Sequence, residues 1–127
     1  MLVLLDSTVL IDYLRGQPAV DRIRQLLTGG DTVATSAVNV EELVRGMRPS
    51  ETDVVDALLE GLVVIPVDEA VARLSGRWRA AHAKRGITVH QADCLVAATA
   101  SVHGALLCTG NPKDFPMLDV EHWPVGE

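Results

Sequence analysis

Asp6 follows a short apolar run, "LVLL" (residues 2–5). Asp93 opens an alanine-rich segment, "ADCLVAATA", and Asp114 lies in "GNPKDF", three positions beyond Asn111. Carboxylates and an amide oxygen gathered in one place favour a particular chemistry. Two carboxylates within ~4 Å repel by about 4 kcal/mol at an effective dielectric near 20, so a cluster either shifts its proton affinities or recruits a cation. Donors that are all oxygens suit Mg²⁺ or Mn²⁺, not zinc. A divalent cation held this way activates water and offsets charge on a phosphoryl group, which is the chemistry of phosphodiester hydrolysis. Each acid alone also has a plainer reading. Asp6 can cap a helix, Asp93 can complement a helix dipole for roughly 0.3–1 kcal/mol, and Asp114 can be a turn residue. Their joint placement separates the two readings.

The elements that would bring them together follow from the hydrophobic pattern. "LVLL" reads as a strand buried on both faces, as in a parallel sheet. Ser7 is placed to cap a helix running to about Arg15, which Gly16 then stops. A second helix is expected from Pro18 to Leu27, and "TVAT" (residues 32–35) is a second strand, with Ser36 capping the helix "AVNVEELVRGM". Residues 51–60 read as helix and "LVVIPV" as a third buried strand. Asp68 and Glu69 start a long helix ending in "HAKRG". The alanine-rich helix, the strand "ALLCT" and a short fifth strand in "LDVEHW" complete the chain. Alternation of this kind predicts an α/β fold: a parallel sheet of four or five strands covered by helices on both faces. In open parallel sheets ligands bind beyond the carboxyl ends of the strands, and Asp6, Asp93, Asn111 and Asp114 all fall near that edge.

Composition bounds the rest. At 127 residues the chain has room for one core, so residues 1–127 are expected to form a single domain. Apolar residues make up 48% and aromatics 3%, which suits a helix-covered sheet of Leu, Val, Ile and Ala. Eleven basic against seventeen acidic residues give a net charge of −6, the wrong sign for a protein that coats duplex DNA. The opening apolar stretch lacks a basic flank and is interrupted by Asp6 and Asp12; with no stretch long enough to span a bilayer, a cytoplasmic protein is expected. Cys94 and Cys108 lack metal or redox spacing and read as buried small hydrophobes. His82, His90, His103 and His122 have no ligand spacing either.

Four motifs in order, "LLDSTVLIDYL", "SAVNVEELVRG", "ADCLVAATA" and "LLCTGNPKDF", make the chain resemble the PIN-domain ribonucleases, and within them the VapC-type toxins of bacterial toxin–antitoxin pairs. The resemblance covers almost the whole length. It implies metal binding by Asp6, Glu42 (in E-L-x-x-G) and Asp93, with a further position on Asn111 or Asp114. Asn111 is neutral where some relatives carry Asp, which leaves open whether one metal or two is held. Ser7 and Thr109 are candidates to hold the ligating carboxylates. The family also implies Mg²⁺ as cofactor, with Mn²⁺ as substitute, and a structured RNA substrate such as transfer RNA. Its partners would be a small VapB-type antitoxin and a second copy of the chain in a homodimer.

Glu42 rests on that resemblance alone. In its helix Ala37, Val40, Val44 and Met47 recur at helical spacing and predict the core side. Glu41 borders that stripe, and Glu42 points further from it. On the long helix Arg73, Arg77 and Lys84 share one face and form a candidate RNA-binding stripe; a merely solvated face is the alternative. Two other functions compete. A metal-dependent phosphatase of the haloacid-dehalogenase type would want a second Asp where Thr8 stands. A non-catalytic RNA-binding module on the same fold would be favoured by a broken acid set. Metal-dependent RNA cleavage by the pure protein separates all three.

Overall fold

The computed structural model describes residues 1–16 and 18–126. Its strands are β1 (Leu2–Leu5), β2 (Thr32–Ser36), β3 (Val63–Ile65), β4 (Leu106–Thr109) and β5 (Glu121–His122). All pair in parallel, in the order β3-β2-β1-β4-β5. The helices are α1 (Ser7–Leu14), α2 (Ala19–Thr28), α3 (Ala37–Gly46), α4 (Thr52–Glu60), α5 (Glu69–Lys84) and α6 (Gln91–Val102). Short 3₁₀ turns cover Pro49–Glu51 and Pro112–Asp114.

β1 lies at the centre of the sheet, so its side chains are buried on both faces and a continuous apolar run is what that position requires. Val3 and Leu5 pack with Val9, Leu10, Ile23 and Val55, under α1, α2 and α4. Leu4 points to the other side, against Val96, Ala97, Ala100 and Phe115. Alanines let α6 lie close to the sheet, and α5 packs on the outside of α6 through Val71 and Ser75. Asp68 caps α5 by accepting from the Val71 N–H at 3.0 Å.

Two expectations need correction. "LVVIPV" forms a strand, but at the edge of the sheet rather than inside it, with Val63 49% and Val64 43% exposed. An apolar run cannot by itself tell an edge from a centre; strand order decides. On α3 the inward residues are Asn39 and Leu43, whereas Val44 is 45% exposed. The buried face thus lies one residue, about 100°, from the predicted stripe. A polar residue can face inward because its groups are satisfied: Asn39 Oδ1 accepts from the Ser36 hydroxyl at 2.7 Å and its Nδ2 donates to Asp6.

Candidate active site

The chain builds β1, β2 and β3 outward in one direction, then returns to place β4 on the other side of β1. The boundary between β1 and β4 is therefore the topological switch point, where a crevice opens beyond the strand ends. Asp6 stands there. Its N–H donates to the Cys108 carbonyl at 3.0 Å, continuing the β1–β4 ladder by one residue.

The Asp6 side chain is 6% exposed and caps nothing, although the residue occupies the N-cap position of α1. Three side chains hold it instead. Thr8 and Thr109 hydroxyls donate to Oδ2 at 3.0 and 2.8 Å, and Asn39 Nδ2 donates to Oδ1 at 3.0 Å. Helix capping does not explain this carboxylate. Ser7, expected as a cap, donates its hydroxyl to Glu42 Oε1 at 3.1 Å. Glu42 is half-buried, next to inward-facing Leu43, while Glu41 faces solvent and pairs with Arg45 at 3.8 Å. Burial pushes the Glu42 carboxyl up, against the lowering by the Ser7 hydrogen bond; Asp6 adds a further rise.

Asp93 is the third residue of α6 and half-buried. Its carboxyl is pushed up to about 6, first by burial, then by the charges of Asp114, Asp6 and Glu42, with His90 partly opposing. Acids from the turn after β4, the end of β1 and α3 thus all bear on Asp93 in α6. Asn111 is exposed and donates its Nδ2 to Asp114 Oδ2 at 3.0 Å, so the two candidates for the fourth position are joined within one turn. Thr109 Oγ1 accepts from the Asn111 N–H at 3.0 Å and so joins that turn to Asp6. The positive charges that register on Glu42 and Asp93 are Arg45 and His90. The stripe of Arg73, Arg77 and Lys84 lies on the solvent side of α5, and Arg73 pairs there with Glu69 at 2.6 Å.

Sequence reasoning missed Asn39 and Thr8. The signal for Asn39 was a lone polar residue three positions after Ser36 in an apolar helix start, where it completes a capping box. Nothing in the local sequence marked Thr8. Both cysteines are buried and free; Cys94 donates its thiol to the Ser75 carbonyl at 3.5 Å, and burial pushes the Cys108 thiol up to about 12.

The family model for the PIN domain matches residues 3–119. The chain belongs to the PIN-domain family. Ribonuclease VapC19 of Mycobacterium tuberculosis is 39% identical to it over 120 residues, covering 91% of this chain and 93% of that protein. The tRNA(fMet)-specific endonuclease VapC of Shigella flexneri is 30% identical over 128 residues, covering 94% and 96%. Among solved structures, DNA-bound VapBC from Salmonella typhimurium aligns with a TM-score of 0.83 at 27% identity, covering 97% of this chain and 99% of that one. This PIN domain is a ribonuclease of the VapC toxin type.

The donor chemistry of the PIN domain's acid cluster fits a divalent cation. Asp6, Glu42, Asp93 and Asp114 offer only oxygens, and the charges that raise Asp93 are themselves carboxylates. Among the described residues no three acidic side chains already close into a ready coordination shell. The raised carboxyl of Asp93 has a measurable consequence. Asp93 has its folded-state carboxyl at about 6 against an ordinary 3.8, so the folded protein holds its proton more tightly than the unfolded chain. Ionising Asp93 therefore lowers stability as pH rises between those values. With chelator present, Asp93→Asn should melt above the parent at pH 8, and the gap should close below about pH 4. Thermal unfolding at the two pH values checks this. A parent melting as high as the variant at pH 8 would show that burial and the neighbouring acids do not raise that carboxyl in the folded protein.

Proposed function

We propose that residues 1–127 form one nuclease domain that acts in the cytoplasm as a divalent-cation-dependent endoribonuclease, the toxin of a pair with a small VapB-type antitoxin. The observation that carries this reading is the meeting of Asp6, Glu42, Asp93 and Asp114 at the switch point, with three of them held by a dedicated neighbour. Asp6, Glu42 and Asp93 would hold Mg²⁺, or Mn²⁺ in its place, and Asp114 the fourth position. Bound there, the cation supplies Lewis-acid chemistry, activating water and offsetting charge on phosphoryl oxygens. The chain does the positioning. Thr8, Thr109 and Asn39 fix both oxygens of Asp6, Ser7 aims Glu42, and Asn111 aims Asp114.

The substrate proposed is structured RNA cut at a single-stranded loop, where bases can be splayed and read by shape. The Shigella flexneri relative, named for transfer RNA, supports that class. Arg73, Arg77 and Lys84 would meet phosphates along α5. The solved VapBC structure of Salmonella typhimurium supports an antitoxin partner. Homodimer formation belongs to the same proposal. Chelation should stop RNA cleavage by the pure protein, and added Mg²⁺ or Mn²⁺ should restore it. Cleavage that survives thorough metal removal would sink the cation-dependent mechanism. Binding of RNA without any cleavage would favour a non-catalytic module instead.

A further inference from the structure

The C-terminal segment reaches back to the site across α1. The Gly126 N–H donates to Asp12 Oδ1 at 2.8 Å, and the Ala19 N–H donates to Asp12 Oδ2 at 3.0 Å. Asp12 is only 5% exposed, a burial that a carboxylate tolerates when both oxygens accept hydrogen bonds. One helical turn earlier, on the same face of α1, Thr8 Oγ1 accepts from the Gly110 N–H at 2.9 Å and donates to Asp6 Oδ2 at 3.0 Å. Gly110 is enclosed from both sides. A Cβ at that position would lie 2.8 Å from each Val125 methyl and 3.4 Å from Thr8 Cβ. Its φ is outside the left-handed region, so glycine is needed here for space, not for backbone freedom.

Gly110 also sits between two working neighbours. Thr109 before it donates to Asp6, and Asn111 after it holds Asp114. Whatever fixes Gly110 fixes both. We propose that Asp12 and Val125 are positioning residues: the tether at Asp12 seats Val125 on Gly110, and that contact holds the Thr109–Gly110–Asn111 turn so that Asp6 and Asp114 face the cation. The proposal rests on the catalytic reading of those two acids, and it assigns the C-terminal segment a part in the chemistry rather than in the core.

The test compares intact chains carrying Asp12→Asn, Gly110→Ala, Val125→Ala, and Gly110→Ala with Val125→Ala. The measurements are Mn²⁺ affinity by calorimetry, RNA cleavage, and hydrogen exchange at single amides. Asparagine at position 12 sets an N–H donor against one of the two backbone donors and should release the tether. Mn²⁺ affinity and cleavage should each fall about 10- to 100-fold, the usual cost of losing a group that orients a ligand. The Gly110 amide should lose protection while the Leu4 amide, in the sheet centre, keeps its own. Gly110→Ala should fall comparably, and adding Val125→Ala, which removes the methyls the new Cβ would strike and lets that Cβ remake the contact on the turn, should bring it back to within about threefold of the parent. Relief of a clash would restore any packing contact, so the readout that marks positioning is Mn²⁺ affinity that moves while the Leu4 amide keeps its protection. A double variant no better than Gly110→Ala overturns the proposal, as does Asp12→Asn with parental Mn²⁺ affinity and Gly110 protection. Should either of these fail to fold, Val125→Ala alone, which disturbs no buried polar group, must still speed exchange at Gly110. A parent that binds no Mn²⁺ and cuts no RNA would instead defeat the catalytic reading, and Gly110 exchange would report on the tether separately.

Discussion

Asp6→Asn and Asp93→Asn should each slow RNA cleavage on the order of 10²-fold or more, about 2.7 kcal/mol at the transition state, with the fold retained. The two substitutions keep size and remove charge. At position 6 the fold survives for a specific reason. Thr8 Oγ1 and Thr109 Oγ1 already accept from the Gly110 and Asn111 N–H groups. Each hydroxyl has a second lone pair, so both can turn to accept from an asparagine amide while its oxygen keeps the bond from Asn39. What cannot be recovered is the negative charge. At position 93 the substitution even relieves the repulsion from Asp114, Asp6 and Glu42, so activity and stability should move in opposite directions. If Asp6 and Asp93 served only helix starts, asparagine would substitute well and cleavage would be near that of the parent. Kinetics beside thermal unfolding of the same samples decides between these outcomes.

The second large effect is expected at Glu42, and its neighbour provides the control. Glu42→Gln keeps the oxygen that accepts the Ser7 hydroxyl, so α3 should stay in place while the charge is lost. Cleavage should fall about as far as for Asp6→Asn, on the order of 10²-fold. Glu41→Gln removes only a surface pair with Arg45, whose side chains are 63% and 69% exposed; such pairs contribute roughly 0–1 kcal/mol, and cleavage should stay within about twofold of the parent. Finding Glu41 essential and Glu42 dispensable would mean that the inward face of α3 does not present the working acid. Asp114→Asn should lie between the two, because the Asn111 amide would still hold an oxygen in its place.

The order of strands and helices along the chain and the starts of α3 and α5 at Ser36 and Asp68 were legible in the sequence, because each depends on contacts within a few residues. The parallel sheet followed from the alternation of strand and helix. Apolar runs, caps and glycine stops act locally, and a chain reports them without knowing its neighbours. The acids Asp6, Asp93 and Asp114 could be placed at one edge for the same reason: each follows a strand or opens a helix. Glu42 could be reached only through its motif, since the apolar periodicity of α3 pointed about 100° away. There the tertiary structure decided. Asn39 turns inward because Ser36 and Asp6 satisfy its amide, and that rotation carries Glu42 toward Ser7. Likewise "LVVIPV" is as apolar as a central strand, yet strand order leaves β3 at the rim with one neighbour. The tether from Gly126 to Asp12 spans 114 positions, and the bond from Thr109 to Asp6 spans 103. No local pattern encodes pairings at such separations, because they form only when the finished sheet brings β1, β4 and the chain end together.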